Sequence, residues 1–184
     1  MNSYLKKIFI INSIFIFADS LFVPLYALFV VNIGGGAELA GILFGLKFAV
    51  TAAAEFFVIK MRDKYKLDEF LLKINFLIRG AAWLLLLFMP VIPVLVIAQI
   101  IIGVSEALGT PAVNALISEN LDDKKHLREW GISQLTSYIP QAIAGALSGF
   151  IIALWGFQVL FLIMSILAFI ALGLLSLHKK RSII

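Results

Sequence analysis

The sequence has no cysteine, which excludes a disulfide framework and thiol chemistry. Its two histidines, His126 and His178, both fall outside the apolar runs, so no imidazole-based metal centre is expected within them. No Ser/His pair or His/Glu metal constellation occurs there either, so an enzyme is not expected, and neither is a cofactor. Charge is scarce, at 14% of residues against 62% hydrophobic. A soluble domain of this length could not keep its surface wet with so few charges. Basic residues are missing altogether from three short connections, 32–38, 90–93 and 154–158.

What is abundant is long apolar sequence. Crossing about 30 Å of hydrocarbon takes roughly 20 residues as a helix. Six runs meet that length: 8–31, 39–60, 70–89, 93–116, 131–153 and 157–177. The connections are short, so the sequence predicts one all-α membrane domain of six packed helices over 1–184. Lys6-Lys7 ahead of an apolar run imitates a secretory signal, but the run is too long, contains Asp19 and lacks a small-residue end. A retained first span is expected. All the Lys and Arg residues except Lys47 and Arg79 fall on one side of these spans. The positive-inside rule then puts both termini in the cytoplasm and the chain in the cytoplasmic membrane as a multi-pass protein. The net charge of +4 is thus a topology signal. Nucleic acid is not an expected partner, since no basic patch interleaves with aromatics.

Two segments inside the apolar runs share the pattern acid-x-Leu-x-x-Pro: Asp19-Ser20-Leu21-Phe22-Val23-Pro24 and Glu106-Ala107-Leu108-Gly109-Thr110-Pro111. A carboxylate in mid-bilayer costs roughly 2.5–3.5 kcal/mol. A helix-breaking proline five residues on frees a carbonyl that needs a partner. Repetition of this pair reads as a duplicated transport element, with repeat one at about 1–89 and repeat two at about 90–184. Three spans per copy is an odd number, so the second copy enters the membrane from the opposite side. Gly41-Ile42 with Gly131-Ile132, and Phe76-Leu77-Ile78 with Phe161-Leu162-Ile163, give weaker support to the same register.

Polar stripes mark the inward faces. Span one carries Asn12, Asp19 and Tyr26 at seven-residue spacing, and span two carries Lys47, Thr51 and Glu55. Span four has Gln99, Glu106 and Thr110 on one face, with Asn114 near it. Span five has Gln134, Tyr138, Gln141, Gly145 and Ser148, a stripe that suits interhelical hydrogen bonding as well as a cavity lining. The Gly145-x-x-x-Gly149 spacing within it permits close helix approach. Span six has little polarity and is expected to face lipid. Arg79 in span three must pair or reach water, with Asp19 or Glu106 as partner. Structural ion pairing and solute or ion handling are both open for Asp19, Lys47, Arg79 and Glu106.

These residues resemble the amino-terminal half of a major facilitator superfamily transporter, and the resemblance covers the whole sequence. That family has two six-span halves, each an inverted pair of three-helix units, with the substrate cavity between the halves. Its loop pattern G-x-L-a-D-R-x-G-R-K-x-x-L aligns with 59–71, where Asp63, Lys64 and Leu71 match and Ile59 and Lys66 replace the glycines. The resemblance implies a gating role for Asp63 and Lys64. Gly103 matches the R-x-x-q-G element of the fourth span, with Gln99 in place of its arginine, so that arginine's proton-relay role does not transfer. The antiporter form G-P-x-x-G-G is absent. The expected function is secondary-active transport of a small solute, coupled to an ion or proton, by a dimer of six-helix halves. The second half is a homodimer mate or a separate six-helix chain. The alternative is a non-transporting six-span scaffold or partner protein.

Overall fold

A computed structural model describes residues 3–64, 67–121 and 126–177, and the side chains of all of these except 62–64. Every regular element among the described residues is helical. Helix α1 is Ser3–Ser20, followed by a single 3-10 turn Val23–Leu25 and the short α2, Tyr26–Asn32. Then come α3, Ala37–Lys64, α4, Asp68–Phe88, α5, Ile92–Ser118, and α6, His126–Ser176. By length and composition, five stretches among the described residues are apolar enough to cross a membrane: Ser3–Asn32, Ala37–Met61, Asp68–Phe88, Ile92–Ser118 and His126–Ser176. The chain is therefore a multi-pass membrane protein.

The fifth stretch holds both of the last two expected spans. A straight helix of 51 residues would run about 77 Å, more than twice the hydrocarbon thickness. It is not straight, because Gly156 leaves the helical region with φ 77° and ψ 179°. That positive φ is open to glycine at little cost. Side-chain contacts fix what the break does. Ser13 of α1 donates to the carbonyl of Thr136, while Phe169 lies against Gly80 of α4. Phe15 and Phe76, with ring centroids 4.6 Å apart, bring α1 and α4 together at nearly the same level. Thr136 and Phe169 would be about 50 Å apart on a straight helix. Residues 157–176 therefore fold back along the bundle.

The same contacts give directions. Tyr4 meets Glu69, Phe15 meets Phe76 and Asp19 meets Arg79, so α1 and α4 run the same way. Ser13 at Thr136 and Phe29 at Phe157 show that residues 126–155 run that way too. Helix α5 runs against α4, since Arg79 meets Ser105 while Asn75 meets Gly109.

Aromatic and aliphatic side chains fill the centre. Phe29, Phe76, Trp83 and Phe161 are fully buried, and Phe22, Phe29, Phe157 and Phe161 interlock ring on ring. Such tilted or edge-on pairs add about 0.5–1.5 kcal/mol beyond area burial. Helix α3 packs mainly on α5 and adds Ala40, Leu43 and Val58 to the core. Only glycine fits at that crossing: a Cβ on Gly103 would come within 2.7 Å of the Lys47 carbonyl. Thr51 seals it by donating to the carbonyl of Gly103 at 3.1 Å.

Two expectations need correction. Residues 157–176 do not simply face lipid. Leu160, Phe161, Met164, Ala168 and Ala171 are buried against the bundle, because small residues there let the segment sit close to Gly80. The two prolines also differ. Pro24 ends α1 in a 3-10 turn, whereas Pro111 lies inside an unbroken α5.

Candidate functional site

The site grows from one residue, Arg79, in the middle of α4. Its guanidinium is only 3% exposed, so every donor it turns inward needs an acceptor. Two helices supply them. Asp19 at the end of α1 accepts from Nη1 at 2.9 Å, and Glu106 in α5 accepts from Nη2. Ser105 Oγ accepts from Nε at 3.1 Å and donates in turn to Asn75, one turn before Arg79. Thr110 donates to the second oxygen of Glu106 at 3.0 Å. The ring of Phe15 lies 5.8 Å from the guanidinium carbon. The approach of α4 to α5 that makes this possible depends on Gly109, where a Cβ would fall 2.4 Å from the Asn75 side chain.

The acids of the two repeated segments thus converge on one cation. Sequence left open whether Asp19 or Glu106 pairs with Arg79, and both do. Unlike the arginine, the acids stay partly accessible, with side-chain exposures of 35% for Asp19 and 32% for Glu106. They face a cavity of about 330 Å³ whose walls come from α1, α4, α5 and residues 126–155. Asn12, Asn75, Thr110, Asn114, Ser137 and Gln141 give it a polar lining. Thr110, Asn114 and Gln141 are exposed, so the cavity opens on the outer surface of this single chain.

On the other side of the Asp19–Arg79 pair lies a smaller space of about 50 Å³, bordered by Tyr26, Lys47 and Gln99. Tyr26 reaches this space and not the larger cavity, because the 3-10 turn at Pro24 shifts α2 off the line of α1. Its hydroxyl is buried on the side of Gln99. Lys47 stands over the rings of Phe44 and Phe48, 5.4 and 4.2 Å from their centroids. A cation over an aromatic face is stabilised by the ring quadrupole.

Of the expected residues, Asn12, Asp19, Arg79, Glu106 and Gln141 meet around the larger cavity. Gln134 and Tyr138 line neither space and lie on the exposed face of α6. A Cβ on Gly145 or Gly149 would have open space around it among the described residues. The loop residues Asp63 and Lys64 lie outside the described side chains. Ser105 and Ser137 were not legible as site residues. The only signals for them are adjacency to Glu106 and a place one turn from Gln134 and Gln141.

A sequence model described as Major Facilitator Superfamily matches residues 8–182. No curated protein matches the chain.

Proposed function

From the premise that this chain belongs to the Major Facilitator Superfamily, as a membrane transporter about half the size of a full member, we propose that it carries a small solute by secondary-active transport as a dimer of six-helix halves. The observation that carries this reading is the convergence of Asp19 and Glu106 on Arg79 at the wall of an open, polar cavity. Two accessible carboxylates around one buried cation give the site groups that can exchange a proton or an ion while Arg79 stays in place. The chain would cross the cytoplasmic membrane six times with both termini inside. The reversal at Gly156 and the shared direction of α1, α4 and residues 126–155 support that count. The segments 1–89 and 90–184 would be inverted repeats, each contributing one of the paired acids.

A lone half leaves the cavity mouth and the polar side chains Gln134, Tyr138 and Gln141 on its outer surface. Unsatisfied polar groups in hydrocarbon cost several kcal/mol each, so this face needs a cover. A second copy related by an axis along the membrane normal would supply it, packed through α3 and residues 126–155. Asp63 and Lys64 would act at the cytoplasmic gate. The test is solute flux into liposomes that contain this chain alone, with the oligomeric mass measured in the same lipid. Flux that disappears in Asp19→Asn and Glu106→Gln, on folded dimers, is the expected result. No flux from the wild-type dimer with any ion gradient would overturn the reading. It would favour the non-transporting scaffold, for which the Arg79 ion pairs would be purely structural.

A further inference from the structure

The geometry points to a monocationic solute, one that presents an ammonium or guanidinium head to the carboxylates of Asp19 and Glu106. This inference rests on the transport reading above and names the class of solute that its cavity takes.

Charge placement carries the argument. Asp19, Glu106 and Arg79 are the charged groups that line the larger cavity, and their formal charges sum to one negative. Their accessibility is unequal. Arg79 is 3% exposed, and its Nε, Nη1 and Nη2 already donate to Ser105, Asp19 and Glu106. Each of its three nitrogens is engaged by the protein, and it is far less accessible than the acids. Lys47 borders the smaller space, held over two phenylalanine rings, and acts on both acids from there without lining the larger cavity. An entering group therefore meets carboxylate oxygens first. A carboxylate or phosphate solute would meet two like charges and no uncommitted cation among the described lining residues. A single positive charge brings the three-residue cluster to neutrality.

Acceptors are available for such a head. One Asp19 oxygen accepts from Arg79, and the Asp19 side chain lines the cavity. Asn12, Asn114 and Gln141 add amide oxygens around the mouth. A volume of about 330 Å³ sits at the small end of ligand pockets, and Phe15, Ile16 and Leu72 supply an apolar wall for a short carbon stem.

The test uses the full chain in nanodiscs with three probes of matched size: ethylguanidinium, propionate and the neutral N-ethylurea. Saturable thermal stabilisation by ethylguanidinium alone is expected. Asp19→Asn and Glu106→Gln should each weaken it about tenfold, the worth of one charge-assisted hydrogen bond. Ser137→Trp fills the cavity while leaving Arg79 and both acids in place, so it should abolish binding without loss of fold. Stabilisation by propionate or N-ethylurea, or an ethylguanidinium effect that is absent or that survives Ser137→Trp, overturns the inference. Flux separates it from the reading it rests on. Selective cation binding without flux keeps the ligand class and removes transport, whereas flux of propionate keeps transport and removes the ligand class.

Discussion

Replacing Arg79 with glutamine is the sharpest perturbation the structure offers. It removes the single cation that two carboxylates share, from a position 3% exposed. Breaking a fully buried pair by deleting one partner costs about 3–5 kcal/mol. Both acids are about one third accessible, so water in the cavity relieves part of that cost, and the lower end, about 3 kcal/mol, applies. Asp19→Asn or Glu106→Gln leaves Arg79 one carboxylate and removes one charge-assisted bond, about 1.5 kcal/mol. For a chain of this length each kcal/mol moves the melting point by about 2–4 °C. Arg79→Gln should therefore melt about 6–12 °C below wild type, and each single acid variant about 3–6 °C below. Neutralising all three residues leaves no stranded charge and should recover most of the loss. Intrinsic fluorescence in nanodiscs reads this directly, since Trp83 is buried beside Phe15. The same preparations are assayed for flux. Acid variants that are folded at the assay temperature but inactive place the acids in coupling. Arg79→Gln melting within about 2 °C of wild type, or a triple variant no more stable than Arg79→Gln, would refute the shared-cation account.

Three further outcomes are expected. Gly109→Ala should lower stability by about 1–3 kcal/mol, because its Cβ would overlap Asn75, while Gly145→Ala, whose Cβ meets open space among the described residues, should leave the monomer's melting point unchanged. Tyr138→Arg, on the exposed face of residues 126–155, should convert a dimer to monomer in native mass measurements without unfolding it; an unchanged mass removes that face from the interface. Single cysteines at Lys6 and Ala37, both exposed, should label from opposite sides of sealed vesicles, and same-side labelling sinks the topology.

The sequence by itself determined what depends on local free energy. Transfer cost fixes the class, since long apolar runs with 14% charged residues have no stable place in water. The same cost makes Asp19, Arg79 and Glu106 conspicuous, because an ionised group in hydrocarbon must be held by something. Helical periodicity put Asn12 with Asp19, and Glu106 with Thr110, and these pairs do share the cavity wall. Tertiary structure decided which faces meet. Arg79 takes both acids because α1, α4 and α5 converge there, and a glycine at 109 lets two of them approach closely. Tyr26 kept its seven-residue spacing in sequence but was displaced by the turn at Pro24, and Gln134 and Tyr138 belong to a stripe that only partly reaches the cavity. The apolar last segment was turned against the bundle by side-chain fit to Gly80, although its composition would suit lipid equally well. Hydropathy measures how strongly a side chain avoids water. In a membrane, where lipid and protein interior are equally apolar, only shape and hydrogen bonding between helices choose its neighbours.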